Sequence, residues 1–163
     1  MPTDVQQAKA PLYLLFSLGA ERYALAAREV VAVLPRVLLK SIPGAPAWVA
    51  GVFAFRGQLV PVIDLCHLSL GTAAVQRTST RTVLVHYQSA DGQRRQLGLI
   101  LEQASDTLRC AADDFRPYGL SSVASPYLGP VLETPAGLIQ RIQIEQLLPA
   151  DVQALLFAEG AAP

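Results

Sequence analysis

The sequence predicts a mainly β protein built as two similar, barrel-like lobes of about five strands each, sharing one core. Three observations predict it: short apolar runs closed by polar turns, helical periodicity confined to short segments, and an internal repeat whose halves each read hairpin, link, hairpin. A chain of 163 residues can hold one domain or two small, intimately packed lobes.

In chain order, Pro11 to Leu18 is an apolar strand closed by Gly19-Ala20-Glu21, and Tyr23 to Ala27 returns from it. Ile42-Pro43-Gly44-Ala45-Pro46 is a rigid turn that aims Trp48 and Val49 into the next hairpin, with one helical turn expected near residues 46–49. Thr82 to Tyr87 and Leu97 to Leu101 form another strand pair, joined by Ser89-Ala90-Asp91-Gly92. Asp113-Asp114 reads as a helix N-cap, and Ile144 to Phe157 carries apolar residues at helical spacing, interrupted by Pro149.

The repeat aligns YALAAREVVAVL (23–34) with LGLILEQASDTL (97–108), and WVAGVFAFRGQLVPVIDL (48–65) with PYLGPVLETPAGLIQRIQI (126–144). Gly51 then matches Gly129, with one residue inserted in the second turn, and the offset runs from about 74 to 79 residues.

Composition excludes several functions. Hydrophobic residues make up 52% and charged residues 16%, with positive mean hydropathy, but no run reaches the ~18 residues a membrane helix needs. MPTDVQQAKA lacks the apolar segment of a secretory signal. Apolar excess on such a chain points to partner-binding faces. The 13 basic and 13 acidic residues cancel, the closest arginines (Arg94-Arg95) fall in a polar turn, and no basic stripe suggests nucleic acid. Cys66 and Cys110 are distant and read as reduced, buried thiols.

One stretch stands out. GVFAFRGQLVPVIDL (51–65) sets a lone Arg56-Gly57 pair at the tip of an oily hairpin, whereas the second copy has Thr134-Pro135-Ala136-Gly137 there. Gly57 supplies the positive φ of a tight tip. Arg56 is either a solvated turn cation or a guanidinium placed for its five donors. Pro61 cannot donate to a ladder, so its strand is an edge or carries a bulge, and an edge is where another chain could dock.

Catalytic motifs are absent: no G-x-S-x-G, G-x-G-x-x-G, P-loop or H-E-x-x-H. Asp64, Cys66 and His67 crowd four residues, and Asp64 and His67 share a face only if that link is helical. His86 and Cys110 have no ligand spacing to them. A small enzyme or metal-binding barrel using Asp64, Cys66 and His67 is the alternative to a docking protein.

The run 42–65 resembles the signature of CheW-like adaptor domains: Pro43, Pro46, Gly51, Arg56, Gly57, Pro61, Asp64 and Leu65 all match. LYLLFSLGAERYALAAREVVAVL upstream, and LGLILEQASDTLR, PYLGPVL and GLIQRIQIEQLL downstream, match in pattern, so the resemblance covers residues 12–148. It implies a single domain over 12–148 made of two SH3-like barrels, between an N-terminal tail (1–11) and a C-terminal helix and tail (149–163). It further implies a cytoplasmic, non-catalytic adaptor without cofactor or metal, coupling chemoreceptor cytoplasmic tips to the regulatory domain of a CheA-type histidine kinase in a membrane-associated array. By the same resemblance Arg56, Gly57, Gly51 and Val30 face the receptor, and the exposed end of the first barrel faces the kinase. Ala54, Ala32, Leu101-Glu102 and Gln143 depart from the family pattern. The Leu-Ile-Gln-Arg-Ile segment and short termini are similar to adaptors of Wsp-type surface-sensing systems.

Overall fold

Among the described residues, strand alternation and turn chemistry produce nine strands: β1 (Leu12–Leu18), β2 (Glu21–Ala26), β3 (Val30–Leu34), β4 (Val49–Phe55), β5 (Gln58–Asp64), β6 (Arg81–Gln88), β7 (Arg94–Arg109), β8 (Leu128–Thr134) and β9 (Gly137–Ile142). Two short helices join them, α1 (Leu65–Leu70) and α2 (Ala150–Leu156). This computed structural model describes residues 10–117 and 124–157, and the rest of both expected tails lies outside the described residues.

The strands make two five-stranded sets. One runs β3-β6-β7-β5-β4, the other β7-β1-β2-β9-β8. Both sets use β7, which is longer than the Leu97–Leu101 strand expected. Residues 94–101 pair with β6, and residues 102–109 pair with β1 across a register shift where Gln103 adopts φ 50°. The lobes therefore cross over. The middle of the chain builds one lobe and its two ends build the other.

Ladder registers carry the repeat. β2 pairs with β9 in parallel at Ala24–Arg141, and β7 with β5 at Val62–Gly98. Adding 74 to Ala24 gives Gly98, and subtracting 79 from Arg141 gives Val62. Each lobe is also closed the same way. Lys40 and Val52 exchange two backbone hydrogen bonds of 2.9 and 2.8 Å, and Arg116 and Val131 exchange two of 2.8 Å. The offset of 79 holds on both sides of the hairpin turn, from Trp48/Tyr127 (each carbonyl accepting at 2.8 Å) to their donors Asp64/Gln143. No residue is inserted in the second turn. Gly51 corresponds in register to Pro130, not Gly129, because both hairpins carry their register shift at the base, near Ala50 and Gly129-Pro130.

β1 is buried on both faces, which explains its unbroken apolar run. Leu14, Phe16 and Leu18 join Leu25, Val83, Leu99 and Leu101 in the large core shared by the lobes. Tyr13 and Leu15 turn the other way, onto Phe115, Leu132 and Ile139. Trp48 packs half-buried against the shared core. Pro61 lies opposite Val52, whose own N–H and C=O turn away from β5 to Lys40. At such a pair the Pro61 nitrogen also faces outward, ahead of the first β5–β7 pair at Val62. β5 is thus an edge only over residues 58–61.

Several local expectations change. Arg94-Arg95 open a strand rather than a turn, and Arg95 ion-pairs with Asp91 at 3.2 Å while its guanidinium covers Phe157. Asp113-Asp114 fall inside a 3-10 turn (Ala112–Asp114) capped by Ala111, and the Asp114 carboxylate accepts the Ala111 N–H at 3.1 Å. Cys110 is half-buried, while Cys66 is buried.

Candidate docking surface

The β4–β5 tip is a two-residue turn in which Arg56 (φ 50°) and Gly57 (φ 80°) both take the left-handed conformation. That is the backbone of a type I′ turn, whose twist matches the flanking strands. Gly57 adopts it freely, with nothing near the place of a Cβ. Arg56 adopts it at a cost of about 1 kcal/mol. Its exposed guanidinium stacks 4.8 Å from the centre of the Phe55 ring, and Phe55 in turn lies 6.3 Å from Phe53. Period-two alternation turns Ala54 and its partner Leu59 to solvent, and Leu59 is 75% exposed. The surface of the hairpin is apolar with one fixed cation.

The other expected receptor-facing residues sit in the same lobe but apart from the tip. Gly51 is buried in β4. A Cβ there would meet the Lys40 carbonyl at 2.6 Å, so the residue is glycine because the closing segment packs directly on its backbone. Val30 starts β3, the opposite border strand, pairing with Val85 and packing half-buried on the shared core. Sequence reasoning missed Leu59, Leu38 (94% exposed, in the segment after β3) and Phe55. For Leu59 the signal was present, since counting alternate residues back from buried Val60 places it outward.

The Asp64-Cys66-His67 cluster has a structural task. The link is helical, but Asp64 spends one oxygen as its N-cap and the other on the loop that follows the helix. Oδ1 accepts the His67 N–H at 3.1 Å, and Oδ2 accepts the Ala74 N–H at 2.9 Å. Burial, reinforced by Glu102, pushes the Cys66 thiol up to about 11, opposite to the shift a thiolate nucleophile or ligand needs. Among the described residues no three His, Cys, Asp or Glu side chains gather as a metal-holding group. No described helix is long and apolar enough to cross a membrane.

These features define a class: a two-barrel β protein presenting an apolar hairpin and barrel borders at its surface. The CheW-like domain model matches residues 12–152, and the chain belongs to that family. It is similar to the chemotaxis protein CheW of Klebsiella aerogenes, 27% identical over 146 residues, covering 88% of this chain and 85% of that protein. It also matches the protein PilI of Pseudomonas aeruginosa, 37% identical over 70 residues, covering 43% and 39% of the two chains. The crystal structure of the scaffolding protein TtCheW from Thermoanaerobacter tengcongensis superposes with a TM-score of 0.74 at 22% identity, covering 88% of this chain and 90% of that one. The fold is the pair of SH3-like barrels that the sequence resemblance implied.

Proposed function

We propose that the chain is a non-catalytic cytoplasmic adaptor that couples chemoreceptor cytoplasmic tips to the regulatory domain of a CheA-type histidine kinase. Family membership supports the scaffold role. The observation that carries the receptor assignment is the β4–β5 tip, where an arginine tolerates a left-handed backbone and stacks on Phe55, while the matching turn of the second lobe uses Pro135-Ala136. A strained arginine where a relaxed residue would close the turn implies selection for its side chain.

In this reading a receptor's helical hairpin lies along the first lobe and meets Arg56, Gly57 and the borders marked by Gly51 and Val30. Arg56 donates to a carboxylate or to carbonyls at the hairpin tip. Kinase contact uses exposed barrel ends, and the chain passes on rearrangement without bond chemistry. The test is reconstitution of receptor fragment, kinase and this chain. Receptor-dependent kinase autophosphorylation should require the chain and be lost with Arg56→Ala. Kinase control that is indifferent to the chain refutes the reading. The similarity to Wsp-type systems says which receptor to try first, and preferential capture by a flagellar-array receptor would remove that branch.

A further inference from the structure

Among the described residues, buried side-chain polar atoms without a hydrogen-bond partner are the Tyr13 and Tyr87 hydroxyls, Glu29 Oε2 and Gln96 Oε1. Such atoms are costly in a native chain and call for a reason. Two of the residues that carry them, Glu29 and Tyr87, are among those lining one cleft of about 500 Å³, with His86, Gln88, Arg94 and Glu145. Both lobes contribute. Glu29 ends the 3-10 turn (Ala27–Glu29) that carries the chain from β2 to β3, Tyr87 belongs to β6, and Glu145 follows β9.

The groups act on one another. Burial raises the Glu29 carboxyl above its ordinary value, with Arg141 opposing and Glu145 reinforcing. Burial pushes Tyr87 up to about 12, with Glu145 adding to it. Tyr87 is 1% exposed. Glu29 takes part in no ion pair among the described residues, and Arg94 stands exposed at the mouth. The lining carries two carboxylates, Glu29 and Glu145, beside Arg94, and Arg141 and Arg28 act on Glu29 from beyond it without offsetting its burial.

We propose that this cleft takes up an arginine or lysine side chain of the receptor hairpin, with Glu29 Oε2, the Tyr87 hydroxyl and the Glu145 carboxylate as its acceptors. The inference rests on the adaptor reading and names the chemistry of that partner. Glu29 directly precedes Val30, so the cleft adjoins the surface already assigned to the receptor. A fork of N–H donors satisfies several separated oxygens at once. An apolar occupant would bury the carboxylate further and leave it unpaired.

The experiment is calorimetric titration of the full chain with a soluble chemoreceptor cytoplasmic fragment, comparing wild type, Glu29→Gln, Glu145→Gln and Arg56→Ala at two salt concentrations. Glu29→Gln keeps shape and removes charge, and should weaken binding about tenfold with a shallower salt dependence. Glu145→Gln, at an exposed site, should weaken it about threefold. Wild-type binding that Glu29→Gln leaves unchanged or tightens overturns the inference alone, since a carboxylate buried without a cation improves on neutralisation. A wild-type chain that does not bind the fragment overturns the adaptor reading and this inference with it.

Discussion

The Arg56 guanidinium carbon rests 4.8 Å from the centre of the Phe55 ring, on a backbone held at φ 50°. The stacking, worth about 0.5–1 kcal/mol at an exposed site, offsets much of the cost of the left-handed backbone. The turn is therefore not intrinsically favourable, and the stacking biases the guanidinium toward the ring.

Substitutions at Arg56 should separate stability from function. Arg56→Gly relieves the backbone and loses the stacking, so its melting temperature should stay within about 2 °C of wild type. Arg56→Ala keeps the strain without the stacking and should lose about 0.5–1 kcal/mol. Both should lose receptor coupling, read by thermal melts beside receptor-dependent kinase assays.

Gly51 and Gly57 should differ sharply. Gly51→Ala drives a Cβ into the Lys40 carbonyl, which is backbone and yields poorly. The expected loss is about 2–4 kcal/mol, with the melting point falling by about 5–10 °C. Gly57→Ala meets open space and costs only the left-handed conformation, about 1 kcal/mol. Equal losses at the two positions would contradict the packing described for the Lys40 segment.

The Asp64 cluster should behave as a cap. Asp64→Ala strands the His67 and Ala74 N–H groups and should cost about 2–3 kcal/mol in a denaturant melt. His67→Ala should stay within about 0.5 kcal/mol and leave signalling unchanged. A large functional loss from His67→Ala with the fold intact would revive the ligand-binding alternative.

Glu29 should make stability depend on pH. Its folded value lies above the ordinary 4.5, because burial outweighs the opposing Arg141 and Arg28 and adds to Glu145. The native chain therefore holds this proton more tightly than the unfolded one. Its contribution is fully present below about pH 4.5 and is lost as pH rises through the folded value. Glu29→Gln, which has no such proton, should melt close to wild type at pH 4 and above it at pH 7. A gap that narrows as pH rises would contradict the burial of this carboxyl.

The hairpins and the duplication were legible because both rest on local alternation and turn residues. The crossover was not. Residues 102–109 of β7 read EQASDTLR, mostly polar, and their strand state comes from pairing with β1, far away in sequence. Nor does alternation reveal where the register shifts, so the aligned repeat suggests an insertion in the second turn when the shift lies at the base of each hairpin. α1 is only six residues long, too short for periodicity, and its marks were the capping Asp64 and the left-handed Gly71. The Arg56-Gly57 tip could be read as singular from the sequence, but the left-handed arginine and its ring could not, since Asn or Gly is the usual first residue of such a turn. The inter-lobe cleft was invisible because Glu29, Tyr87 and Glu145 meet only after the lobes exchange strands.

The affinity of a soluble chemoreceptor cytoplasmic fragment for wild type against Arg56→Gly tests the central claim most directly, since glycine preserves the turn and removes only the guanidinium arm. Loss of binding by tenfold or more, with an unchanged melting point, is the predicted result. Equal affinity of the two proteins would show that the stacked arginine plays no part in docking.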